Sequence, residues 1–200
     1  MQIGRAIPIL TSERTEWTRY MAEENERGSL ISYAIMLIVI SNAAKLIGSL
    51  FISTGLAFIG FSSTYWIATH ALTIVFEIIA LFITPMILSK VAPSFGGQSN
   101  DLNALKLYVF CMTPAWIGGI LGIIPFLGWL GALAGGIFAI YLFWQHSADA
   151  MGVPEEKKVG YVVVAAVCIV VLYLIFGAIT ATIAGAMFGA AILTGGLHRF

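Results

Sequence analysis

Val162-Val163-Val164-Ala165-Ala166-Val167-Cys168-Ile169-Val170-Val171 is an unbroken apolar run, and its lack of alternation decides the fold. A strand of a membrane barrel alternates polar and apolar residues over about 10 positions. This run does not, and neither does Ile35-Met36-Leu37-Ile38-Val39-Ile40. Working outward, the first run extends across 160–182 and the second across 30–52, and three further apolar segments occupy 65–88, 105–124 and 127–144. Each is of the order of the roughly 20 residues that carry a helix across a hydrocarbon core about 30 Å thick. Inside lipid every backbone amide must be satisfied within its own segment, so segments of this kind are helices. The expected fold is all-α: a polytopic membrane protein with five transmembrane helices over 30–194, a polar N-terminal segment over 1–29 and an external tail over 195–200.

Composition points the same way. The chain is 60% hydrophobic and only 10% charged, with a mean hydropathy of +0.95, far from the values of soluble domains. A formal net charge of zero gives no support for a nucleic-acid partner; the expected partner is the lipid bilayer. Arg5 to Gly28 carries four Arg and five Glu ahead of the first apolar run, which is unlike a cleavable signal, so the first span is expected to be permanent. Cys111 and Cys168 fall inside the third and fifth spans and read as small apolar residues rather than a disulfide.

Orientation follows from the basic residues near span ends. Arg5, Arg14, Arg19, Arg27, Lys90, Lys106, Lys157 and Lys158 all fall on one side, and only Arg199 falls on the other. The N-terminus is therefore expected in the cytoplasm and the C-terminus outside. Ahead of the spans, residues 12–25 form a short predicted helix with Ser12 as N-cap and Glu13 and Glu16 in its first turn. Trp17, Tyr20 and Met21 share one narrow face, which suits the membrane surface, the cytoplasmic loops or a partner.

The most distinctive stretch runs from Lys90 to Trp129. It contains Pro93-Ser94-Phe95-Gly96-Gly97-Gln98, Thr113-Pro114-Ala115-Trp116 and Ile123-Ile124-Pro125-Phe126-Leu127-Gly128-Trp129. Gly96 and Gly97 allow a tight turn with φ above zero after Phe95, Asn100 and Asp101 are suited to cap the next helix, and Pro114 removes a helical hydrogen bond within the membrane. Together with Thr15-Glu16-Trp17 and Pro154-Glu155-Glu156-Lys157-Lys158-Val159-Gly160-Tyr161, in this order and spacing, these segments resemble the bacterial branch of the Yip family, membrane proteins named for interaction with Ypt/Rab GTPases in eukaryotes. The Asp-Leu-Tyr-Gly-Pro motif that eukaryotic members carry before their first span has no counterpart here. The resemblance implies a five-span fold in a bacterial inner membrane and little chemistry.

Two ionisable residues lie inside spans, Lys45 and Glu77. A lone charge at that depth costs about 2.5 to 3.5 kcal/mol on insertion scales, so each calls for a partner. Lys45 lies about 10 Å and Glu77 about 18 Å from the outer ends of their helices at 1.5 Å per residue, a gap that the lysine stem largely covers. Ser41, Asn42, Lys45 and Ser49 recur on one face of the first span, and His70, Thr73, Glu77 and Thr84 on one face of the second. This seam reads either as interhelical glue or as a proton or ion relay through His70, Glu77 and Lys45.

Small residues mark other surfaces: Gly177, Ala181, Gly185 and Gly189 on the fifth span, Gly118 with Gly122, and Gly131 with Gly135. Such spacing serves close helix packing within the chain or a homo-oligomer contact. Beyond Thr182 the tail either prolongs the last helix or folds back. Enzyme chemistry is hard to find: His70, His146 and His198 lack a metal-ligand spacing, His146 reads as an interfacial polar residue, and no Gly-Lys-Ser/Thr loop, Gly-x-Ser-x-Gly or His-Glu-x-x-His is present. The expected function is a non-enzymatic membrane scaffold or an assembly and trafficking factor, without metal or cofactor. The alternative is a transporter of protons, ions or a small solute of unknown identity.

Overall fold

The computed structural model describes Trp17, Tyr20, Met21 and residues 27–56 and 63–197. Five helices follow in order: α1 Arg27–Leu56, α2 Ser63–Val91, α3 Asp101–Ile120, α4 Pro125–Met151 and α5 Glu155–Leu197, with 3-10 turns at Ala92–Phe95 and Leu121–Ile123. Among the described residues there is no strand, and all five helices are long and apolar enough to cross a membrane. The protein is an all-α, multi-pass membrane protein. α5 continues as one helix to Leu197, so the described part of the tail prolongs the last span.

α3 is the most buried span and α5 the least. α3 packs against α4 most extensively, then against α1 and α2, while α5 packs mainly against α2 and less against α4. Lipid therefore bathes most of α5, where Val163, Val167, Leu174 and Ile175 are exposed, as expected of a helix that is apolar on every side.

Glycines set how closely α3 and α4 approach. A Cβ on Gly118 would overlap the Gly131 carbonyl, and one on Gly135 would lie 2.6 Å from the Pro114 oxygen and 2.8 Å from the Ala115 Cα. The backbones are in contact there, as small residues permit between spans. α3 runs through Pro114 as one helix. Trp116 is buried and meets Tyr108 edge to face at 6.3 Å.

One end of the bundle gathers Arg27, Lys90, Lys106, Lys157 and Lys158 together with the turns between α2 and α3 and between α4 and α5; we call it the basic end. Here Gly96 closes the 3-10 turn in the left-handed conformation, φ 79° and ψ 10°, a region that a Cβ disfavours. Gly97 donates to the Ala92 carbonyl and Gln98 to the Met151 carbonyl at 2.8 Å, tying this turn to the α4 terminus. Gly152 ends α4 at φ 65°, with Val153 donating to the Ala148 oxygen at 2.9 Å in a glycine C-cap arrangement. Asn100 caps α3 by accepting from the Asn103 amide. The Phe95 ring covers Gly160 and meets Tyr161 at 6.1 Å, whose hydroxyl donates to the Leu88 carbonyl.

Candidate functional site

Chemistry-bearing side chains collect in two places, an intramembrane seam and the basic end. In the seam, α1 and α2 lie side by side because each presents polar residues every three or four positions. Asn42 is fully buried; its Nδ2 donates both to its own helix, at the Ile38 carbonyl, 2.9 Å, and to the Glu77 Oε2, 3.1 Å. Ser49 donates to the Lys45 carbonyl at 2.8 Å and stands 3.1 Å from the His70 Nε2. The hydrogen-bond partner of Glu77 is thus Asn42, where spacing alone points to Lys45.

Lys45 extends instead across α3. Its Cε would lie 2.8 Å from a Cβ on Gly119, and its Cγ 2.7 Å from one on Gly122. The two glycines make the channel in which the lysine stem lies, and any side chain there would displace it. No Lys45–Glu77 ion pair within 4.0 Å forms among the described residues, although Lys45 is near enough to act electrostatically on both Glu77 and His70. Lys45, Glu77, His70, Asn42 and Thr73 therefore occupy one region without one continuous chain of hydrogen bonds: the described bonds form an Asn42–Glu77 pair and a separate Ser49–His70 pair.

On its other side Glu77 borders a cavity of about 370 Å³ between α2 and α5. Tyr173 of α5, which also lines that cavity, is hydrogen-bonded through its hydroxyl to Tyr108 of α3 at 2.8 Å. The two tyrosines sit in otherwise apolar runs, so only tertiary placement shows that they belong to the seam. Gly177 and Ala181 line this cavity, and Gly177, Gly185 and Gly189 all have open space where a Cβ would stand. Of the small-residue pairs named above, Gly118 with Gly122 and Gly131 with Gly135 make close approaches among the described residues, Gly122 meeting Gly48 and Gly128, whereas Gly177, Gly185 and Gly189 of α5 do not.

At the basic end, Trp17 is 2% exposed and stacks on His146, ring centroids 3.9 Å apart and planes 9° from parallel. Phe110 of α3 meets Trp17 edge to face at 5.9 Å and Tyr20 at 5.8 Å. Lys106, itself 2% exposed, donates its Nζ to the Met21 carbonyl at 2.9 Å. The face formed by Trp17, Tyr20 and Met21 therefore rests on α3 and α4. His146, read from sequence as an interfacial polar residue near the end of α4, is 3% exposed and serves as a platform for the indole. A lysine one turn inside α3 and a histidine near the end of α4 gave no local sign of this role, since their partner lies far away in sequence.

Among the described residues no group of three or more His, Cys, Asp or Glu gathers as a metal site would require. Cys111 is buried in α3 and, like Cys168, is a free thiol.

Comparison with curated proteins and comparison with solved structures return no match. Comparison with family models returns the Yip1 domain over residues 7–179. The matched range takes in Trp17, the Phe95-Gly96-Gly97 turn, Thr113 to Trp116 and the Pro154 to Tyr161 segment, all of which the fold turns into contacts between helices, and with most of the chain inside one family model it belongs to the Yip family of membrane proteins.

Proposed function

We propose that this protein is a non-enzymatic scaffold of the bacterial inner membrane that acts in membrane assembly or trafficking, with its basic end in the cytoplasm. The observation that carries this reading is what the family segments do. Phe95 and Gly97 lock the α2–α3 turn onto the start of α5 and the end of α4. Trp17 fastens the N-terminal segment onto α3 and α4. These residues make a rigid face at one end of the bundle, which is what a docking platform requires, and they assemble no nucleophile, base and oxyanion donor.

Membership in the family also supports a location in a membrane. The excess of basic residues at one end supports the orientation. Conduction of a solute is the weaker reading, because the Tyr108–Tyr173 contact stands at the end of the Glu77 cavity that is nearer the basic end, and the polar pairs of the seam do not join.

The test is purification of the full chain in mild detergent with crosslinking beforehand. A defined membrane-protein partner or a second copy should be retained, and substitution of basic-end surface residues such as Lys157→Glu with Lys158→Glu should release it. A chain that remains monomeric and partner-free after crosslinking in the membrane would refute the scaffold reading.

A further inference from the structure

The cavity between α2 and α5 exposes mainly apolar surface, and along its α2 wall Thr69, Thr73 and Glu77 form a row of acceptors, with Tyr65, Tyr173 and Thr180 completing its polar lining. Thr69 donates its hydroxyl proton to the Tyr65 carbonyl at 2.8 Å, and Thr73 donates to the Thr69 carbonyl at 2.9 Å. Both line the cavity, and with their protons already used they offer it lone pairs only. Glu77, one turn further along the same face, has Oε2 engaged by Asn42; Oε1 has no such bond among the described residues, so the carboxylate keeps acceptor capacity on the cavity side. No Lys, Arg or His lines the space.

We propose that this cavity binds a small primary ammonium compound with an apolar body, its nitrogen against Glu77 and Thr73. The volume of about 370 Å³ suits one small organic molecule. The walls suit a cation beyond the carboxylate: Phe76 and Phe176 bridge α2 and α5 in a stacked pair at 4.9 Å and line the cavity with Tyr173, and an ammonium is attracted to ring faces that such a stack leaves uncovered. Gly177 keeps the opposite wall clear, having no atom within 4 Å of where its Cβ would be. Lys45 acts on Glu77 from α1, and the phenols of Tyr108 and Tyr173 face it from α3 and α5. The Lys45 stem lies over Gly119 of α3 and Gly122 of the following 3-10 turn, and His70, on Glu77's own helix, stands beside Ser49 of α1.

The experiment titrates the purified full chain in detergent with three probes of similar shape: 2-phenylethylammonium, neutral 2-phenylethanol and anionic 3-phenylpropanoate. A charge-assisted contact favours the cation by about tenfold or more over the alcohol, with the anion weakest. Glu77→Gln should erase the cation's advantage while the alcohol's affinity is unchanged. Gly177→Leu, which fills open space, should weaken all three without lowering the thermal midpoint. Equal binding of the three probes, as for a groove that merely takes up acyl chains, overturns the proposal. So does absence of binding by 2-phenylethylammonium, or a cation preference that survives both Glu77→Gln and Gly177→Leu.

Discussion

Replacing Trp17 by Ala should release the N-terminal segment from the bundle before the bundle itself unfolds. A buried tryptophan removes about 150–250 Å² from its surroundings, which at 25 cal/mol/Å² corresponds to about 4–6 kcal/mol relative to water. The indole at 2% exposure has realised nearly all of that burial. Once detached, however, Trp17 would find the membrane interface, where the side chain is already favoured. Recovering roughly half the transfer energy there leaves a docking contribution of about 2–3 kcal/mol, or about 30- to 150-fold in the undocked population.

Trypsin reads this directly. Arg19 falls in sequence between Trp17 and Tyr20, both buried against the bundle, so the cleavage rate there is expected to follow the undocked population when reclosing is fast. Trp17→Ala should raise the Arg19 cleavage rate by that factor with little change in the thermal midpoint of the span core. His146→Ala should give a smaller increase, and the double mutant should fall short of additivity by about 0.5–1.5 kcal/mol, the value of a stacked aromatic pair. An unchanged cleavage rate in Trp17→Ala, or full additivity with His146→Ala, would show that the stacking at 3.9 Å does not hold the segment.

Gly96→Val should destabilise the protein by about 1–2 kcal/mol or more because its φ of 79° lies in the left-handed region, whereas Gly96→Asn should be milder; equal thermal midpoints for the two would count against the turn as described. Asn42→Leu removes the donor to Glu77 and strands a buried carboxylate oxygen at a cost of about 1–3 kcal/mol, so the double variant with Glu77→Leu should be less unstable than the sum of the singles; additive losses would exclude the contact. Lys45→Leu, by contrast, should show weaker coupling to Glu77→Leu, since Lys45 makes no direct ion pair there. Reporters fused after Arg27 or within 90–104 or 146–158 should read cytoplasmic and one after Phe200 external; an external 90–104 loop would be incompatible with the proposed orientation.

What could be determined without tertiary structure was whatever depends on a residue's own run of neighbours. Unbroken apolar stretches such as 162–171 specify membrane helices because lipid offers the backbone no other hydrogen-bond partners. The left-handed turn at Gly96 was legible for a similar reason, since two adjacent glycines after Phe95 remove the steric bar to that conformation. The polar seam was half legible: periodicity put Asn42, Lys45 and Glu77 on facing surfaces, but register and rotation between helices decided that Asn42 reaches the carboxylate and that Lys45 lies along Gly119 and Gly122. Small-residue spacing was ambiguous in the same way. It marks where a close approach is permitted, and the packing used Gly118, Gly122, Gly131 and Gly135 while leaving Gly177 facing a cavity. Least visible were the Trp17–His146 stack and the Lys106–Met21 contact. Residues far apart in the chain leave no local pattern; they are brought together only when the helices pack.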